Sequence, residues 1–245
     1  MCHFRTSSQL LLAAMSLLLS SNASAESYAF AVSWQPEFCE TKGTKPECVA
    51  MKPTRFDARN FTLHGLWPQT SEYCGATEQQ KKADSDGKWQ QLPAVTLKPD
   101  VQAALTEAMP GTASYLERHE WLRHGSCANL GADEYFTTAI GLLRQLNGSE
   151  FGRFVSKRVG SDISLERMRQ IADASFGVTA KDSIEYLCEA RKNTSQALVE
   201  IRVHLAASDL LSLDLASSLG RPIRRAKDAD LCVGGPVYID VVVEN

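Results

Sequence analysis

Six of the seven cysteines, Cys39, Cys48, Cys74, Cys127, Cys188 and Cys232, lie beyond the first 25 residues, and they limit the folds open to this chain more than any other feature. An even set in an oxidising compartment reads as three disulfides. Such a framework dictates which loops and helix ends must be neighbours, although spacing alone leaves the pairing open.

The oxidising compartment is itself inferred. Met1 to Ala25 reads as a secretory signal peptide, with Arg5 as its basic residue, an apolar run from Leu10 to Leu19, and Ala23-Ser24-Ala25 as the cleavage site. The run is too short to span a bilayer, and no later stretch is longer. The expectation is a chain exported to the periplasm or secreted, with no membrane partner and acting as a monomer. The remainder, residues 26–245, reads as one domain, since no repeat, low-complexity tract or linker divides it. Its hydrophobic content of 44% suffices for a core that the disulfides supplement. The formal charge of −3, made one unit more negative by loss of Arg5, excludes a global attraction for polyanions. Nucleic acid would have to bind in a local groove.

Chemistry concentrates in His119-Glu120-Trp121-Leu122-Arg123-His124-Gly125-Ser126-Cys127. Ser114 and Glu117 have capping-box spacing, and Gly125 suits a left-handed helix end, so a helix is expected from Ser114 to His124. Glu120 and His124 then share one column, and His119 and Arg123 the next, with Tyr115, Trp121 and Leu122 turned away. A zinc helix is the obvious rival, but its histidines lie four apart on one face. Here they lie five apart, about 140° around the helix. A solvated face is the bland rival for any one of these residues, and four together beside a cysteine argue against it.

Strand patterns occur at Tyr28–Trp34, Asn60–Leu66, Ser183–Cys188, Leu198–Leu205 and Val237–Val243. Helical patterns occur at Pro99–Met109, Phe151–Arg158, Asp133–Leu146 and Leu165–Phe176. Strands at both ends with helices between them give an α+β fold, with a central, mainly antiparallel sheet packed by several helices. Gln69 to Leu97 reads as a long polar connection, with Trp89 as an anchoring aromatic.

His64 stands in Phe61-Thr62-Leu63-His64-Gly65-Leu66-Trp67-Pro68-Gln69. A histidine in so apolar a strand must be hydrogen-bonded or face a cleft. Taken with His119-Glu120-Trp121-x-x-His124-Gly125-x-Cys127, the His-Gly-Leu-Trp-Pro run resembles the paired signatures of the ribonuclease T2 family. Ser33-Trp34-Gln35-Pro36 before Cys39 agrees with that resemblance.

The resemblance implies an endoribonuclease that cleaves single-stranded RNA by transphosphorylation to 2′,3′-cyclic phosphate ends, with slower hydrolysis to 3′-phosphates and no cofactor or metal. By motif position it makes His124 the base, His64 the acid and Glu120 an orienting or proton-sharing carboxylate, with His119 and Arg123 on the phosphoryl oxygens. Trp67 and Tyr73 become base-contacting residues. The implied disulfides are Cys74–Cys127, Cys188–Cys232 and Cys39–Cys48. Arg123 stands where lysine is usual in the family, which puts the rate in question more than the reaction. Gln69 replaces an acidic residue that selects a base in several members, so broad base tolerance is expected.

Other features weigh less. His204 reads as structural or surface, and the run Arg221, Arg224, Arg225, Lys227 as a solvated loop. Acceptor triplets for N-glycosylation begin at Asn60, Asn147 and Asn193. The first falls in the His64 strand, where a glycan would crowd the site, which favours a bacterial envelope. A binding protein that has lost catalysis and a metal-dependent phosphodiesterase are the alternatives. Intact His64, Glu120 and His124 argue against the first.

Overall fold

Alternating and fully apolar runs at the two ends of the chain build one sheet, and the amphipathic stretches between them cover it. The computed structural model describes residues 26–191, 196–207 and 209–242. The expected leader and the Asn193 acceptor lie outside the described residues. In chain order the elements are β1 (Glu26–Ser33), α1 (Gln35–Lys42), α2 (Pro46–Val49), β2 (Thr62–Pro68), α3 (Glu78–Ser85), α4 (Pro99–Ala108), α5 (Leu116–Arg123), α6 (Ala132–Gly148), α7 (Glu150–Ser156), β3 (Ser161–Ser164), α8 (Leu165–Phe176), α9 (Ala180–Ser183), β4 (Ile184–Glu189), β5 (Ala197–Ala207) and β6 (Pro236–Ile239).

The sheet runs β2-β1-β5-β6-β3, with β4 also on β5. All pairings are antiparallel except the short β5–β6 contact, so the architecture is α+β with a mainly antiparallel sheet. Phe30, Ala31 and Val32 of β1 are wholly buried, as a strand covered on both faces requires. On β5, Ile201, Val203 and Leu205 enter the core while the alternate residues Glu200, Arg202 and His204 share the opposite face. Tyr135, Phe136, Ala139, Ile140, Leu143 and Leu146 form the buried stripe of α6. Rings of Trp34, Phe61 and Phe151 continue the core, at 5.3 and 6.2 Å between successive centroids. Truncating one such ring costs about 3–5 kcal/mol.

Three disulfides fasten this frame: Cys39–Cys48 joins α1 to α2, Cys74–Cys127 ties the segment after β2 to the turn after α5, and Cys188–Cys232 ties β4 to the approach to β6.

Several local expectations are corrected. The helix carrying His119 begins at Leu116, not Ser114, because Tyr115 takes a left-handed conformation with φ of 65°. The Ser114 hydroxyl is given to Glu47 at 2.5 Å instead of capping the helix. Gly125 is not left-handed; it opens a short 3-10 turn, and a Cβ there would strike the Trp121 ring. The polar stretch from Gln69 to Leu97 contains α3, capped by Thr77 and Gln80. That helix buries only Asp84, so it has no apolar stripe to read. The short strand β3 likewise had no pattern of its own.

Candidate active site

The site begins with a defect in the sheet. Ala31 pairs with Gly65 and Val32 with Leu63, which leaves His64 as an extra residue in β2. Such a bulge breaks the two-residue alternation. His64 and Trp67, three apart and destined for opposite faces in a regular strand, both line the same cleft. Between them Gly65 has no room for a side chain, since a Cβ would overlap the Glu120 carboxylate and the Trp67 indole nitrogen.

The cleft's other wall is α5. Glu120 is fully buried, and its Oε2 accepts the Trp67 indole N–H at 2.7 Å. Its Oε1 lies 3.8 Å from His64 Nε2 and 3.7 Å from His119 Nε2, with no hydrogen bond of its own. Burial outweighs the pull of His64 and His119, so the carboxyl is held above its usual range. Glu120 therefore faces His64 and His119, although helical spacing pairs it with His124.

Each outer imidazole has a carboxylate from a distant element. His64 Nδ1 lies 2.6 Å from Glu200 Oε2 of β5, and Arg202 holds the other oxygen of Glu200 at 2.6 Å. Burial disfavours the charged ring, but Glu200, with Glu120 behind it, prevails and raises its pKa above 6.5. Glu200 is correspondingly lowered, against its own burial, by His64 and Arg202. His119 Nδ1 lies 2.7 Å from Asp84 Oδ1 of α3, whose other oxygen accepts the Tyr73 hydroxyl at 2.7 Å. These hydrogen bonds overcome burial and hold Asp84 below its usual range. Trp89 stacks on His119 at 4.8 Å, which is the anchoring role expected of it.

His124 caps the C-terminal end of α5, and among the described residues no carboxylate is hydrogen-bonded to its Nδ1. Its Nδ1 is buried with no partner, and its ring lies 5.3 Å from Trp67 and 6.0 Å from His119. Burial, followed by the charges of His119, Arg123, His64 and Arg224, pushes it down to about 2. Arg123 is partly exposed, covers the Tyr73 ring at 5.4 Å and reaches Glu72 at 3.2 Å.

The structure thus brings His64, Trp67, His119, Arg123 and His124 to one cleft of about 300 Å³, with Glu120 sealed behind it. Trp67 and Tyr73 are already engaged, Trp67 by Glu120, His124 and Arg202, and Tyr73 by Asp84 and Arg123. Arg224 and Arg225 also line the cleft, so the late basic run is not merely a solvated loop. A second hollow of about 300 Å³ opens on the far side of His64, lined by Phe38, Lys45, Leu116, Trp89 and Glu200 among others. A larger open hollow of about 830 Å³ near Cys39 and Val242 carries no comparable group of titratable side chains.

Ligand atoms of His119, Glu120 and His124 lie within 4.8 Å of one another. Tetrahedral zinc, bonded at about 2.1 Å, wants its ligands within about 3.4 Å. The set is wider than that between His119 and Glu120, and Trp67 already occupies one Glu120 oxygen. A phosphoryl group, larger and anionic, suits the surrounding Arg123 and His64 better.

The sequence reading missed Glu200, Asp84 and Arg202. The first and third stand on the polar face of β5, and the alternation Glu200-Arg202-His204 was the available signal.

A model of the ribonuclease T2 family matches residues 25–214. Ribonuclease I of Escherichia coli (strain K12) is 26% identical over 220 residues, covering 78% of each chain. Ribonuclease 1 of Arabidopsis thaliana is 28% identical over 168 residues, covering 65% of this chain and 68% of its own. Among solved structures, a mutant of ribonuclease MC1 superposes with a TM-score of 0.58 at 20% identity, over 87% of this chain and 99% of that one. RNase NT in complex with 5′-AMP gives 0.59 at 16% identity, over 89% and 98%. At these identities the structures speak to the fold alone.

Proposed function

The chain belongs to the ribonuclease T2 family and is an endoribonuclease of that type, and from this premise we propose that it cleaves single-stranded RNA by transphosphorylation, with His64, Glu120 and His124 as its catalytic residues. The observation that carries the reading is the contrast between the two cleft histidines: His64 Nδ1 is paired with the Glu200 carboxylate at 2.6 Å, which raises its pKa, whereas His124 Nδ1 is buried without a partner and burial lowers its pKa.

In the first step His124 takes the proton of the substrate's 2′-hydroxyl as the 2′-oxygen attacks the adjacent phosphorus. The bond to the 5′-oxygen breaks, and His64 gives its proton to that oxygen. The products are a 2′,3′-cyclic phosphate and a free 5′-hydroxyl. Hydrolysis runs the roles backward: His64, now neutral, takes a proton from water, and His124 returns one to the departing 2′-oxygen. Both residues recover their starting states, as general acid–base catalysis requires.

The phosphorane between these states carries added negative charge, which Arg123 and His119 stabilise. Asp84 and Trp89 hold His119 for that task. Glu120, with one oxygen unpaired between His64 and His119, attracts the N–H groups of both rings and holds them toward the phosphoryl oxygens as charge builds. The nucleophile is tethered to its target and brings its own effective concentration, so the step is expected to need no metal.

The base of the attacking nucleotide would lie against Trp67 and Tyr73. Gln69 is buried and uncharged, with its Oε1 accepting from Arg224 N and its Nε2 donating to Trp67 O, so it is poorly placed to select a base as a carboxylate would. Broad base tolerance follows. RNase NT was solved with 5′-AMP, and a monomeric, exported, one-domain enzyme beginning near residue 26 completes the proposal.

The test is digestion of a defined RNA in excess chelator, with product ends identified and His124→Ala run in parallel. Cyclic phosphate ends that vanish in the variant support the reading. Cleavage that requires added metal would replace it with a metal-dependent phosphodiesterase, and no cleavage at all with a binding protein.

A further inference from the structure

Two buried titratable residues take no part in that chemistry. His204 is wholly buried on β5, and its Nε2 lies 3.0 Å from Glu185 Oε2 of β4. Glu185 also accepts from the backbone N–H of Ala226 at 3.2 Å and from Arg225 Nε at 3.3 Å. Two residues earlier, the N–H of Arg224 is held by Gln69 Oε1 at 3.2 Å. The segment 224–226 is thus pinned at both ends across one side of the active cleft. It lies beyond residue 214, where the family match ends.

The pinning has a chemical result. Arg224 and Arg225 are 53% and 67% exposed and line the cleft together with Arg202, whose guanidinium covers Trp67 at 5.2 Å. Arg224 Nη1 reaches Glu72 at 3.1 Å, and Glu72 is shared with Arg123. Arg202 and Arg225 keep one carboxylate each, Glu200 and Glu185. Three guanidiniums therefore converge beside the Trp67 wall with donors to spare, a fork geometry suited to phosphate.

We propose that Arg202, Arg224 and Arg225 form a subsite for a second RNA phosphate, the one on the 5′ side of the nucleotide whose 2′-hydroxyl attacks. The assignment of side rests on the ribonuclease reading above. His124, the base in that reading, lines this cleft, so the attacking nucleotide lies here; the departing nucleoside lies beyond His64, toward Trp89 and Lys45. The His204–Glu185 pair is then the anchor that fixes the segment, and the enzyme favours cuts inside a strand over cuts at a 5′-hydroxyl end.

The test compares a dinucleoside monophosphate bearing a 5′-hydroxyl with the same compound bearing a 5′-phosphate, in wild type and in Arg224→Ala/Arg225→Ala. One added charge-assisted phosphate contact is worth roughly tenfold in kcat/KM. The 5′-phosphate should give that gain in wild type and less than twofold in the double variant, whatever the variant's absolute rate. An Arg224→Lys/Arg225→Lys variant should keep part of the gain, and serves if the alanine variant does not fold. A gain absent in wild type, or undiminished in both variants, overturns the subsite while leaving the ribonuclease reading intact. Failure of wild type to cut either compound overturns both.

Discussion

Replacing Glu200 with glutamine tests the proposed role of His64 as the acid, whose pKa Glu200 raises. The Glu200 carboxylate lies 2.6 Å from His64 Nδ1, and the His64 side chain is 32% exposed. An opposite charge this close moves a pKa by about 1–3 units, which is about 1.4–4 kcal/mol. Arg202 shares the carboxylate and water reaches the ring, so the low end applies. The sign follows from the role. An acid must be protonated, Glu200 raises the pH at which His64 loses its proton, and glutamine keeps the shape without the charge. The alkaline limb of the kcat/KM profile should therefore move down by about one unit. Activity at pH 8 would fall about tenfold while activity near pH 5 stays close to wild type. A pH–rate profile on a dinucleotide reads this directly. An unmoved alkaline limb, or a loss equal at all pH values, refutes the argument.

Three further outcomes follow from the same geometry. Gly65→Ala should push Glu120 off the Trp67 indole and cut kcat at least about a hundredfold, which single-turnover kinetics on a protein with unchanged far-UV circular dichroism would check. Removing Cys74 and Cys127 together frees a 53-residue separation; the chain-entropy loss is about 4 kcal/mol, and denaturant unfolding and activity should fall together because the bond closes the turn after α5. Glu37, mainly through burial, is raised to about 7 from 4.5. The folded state then holds its proton more tightly than the unfolded one, so its stabilising contribution is full below pH 4.5 and lost as pH rises through 7, a difference on the order of 3 kcal/mol. Glu37→Gln should flatten the fall in melting temperature between pH 5 and 8.

Much of this was legible in the sequence for physical reasons. The α6 and α8 stripes recur at helical period because one face of each must be buried, and both helices were readable from that period. The His64 and His119–Cys127 motifs pointed to the site because five chemically active side chains, His64, His119, Glu120, Arg123 and His124, had no apolar reason to stand there. What escaped has no periodic signature. The carboxylate partner of His64 arrives from 136 residues away, and that of His119 sits on a helix whose only buried residue is that aspartate. The bulge that turns His64 and Trp67 to one side exists only once β2 is registered against β1. Tyr115, a bulky residue in a left-handed conformation, was unreadable because local rules favour the capping box that Ser114 gave up to Glu47.

In the proposed reaction the substrate's own 2′-hydroxyl is the nucleophile, with His124 as its base. The direct measurement is cleavage of an RNA oligonucleotide carrying a single 2′-deoxy residue, with product ends resolved by mass. Cutting should stop after that residue alone, while every other product retains a 2′,3′-cyclic phosphate early in the reaction. Cleavage after the deoxy residue, or 3′-phosphate ends with no cyclic precursor, would contradict it.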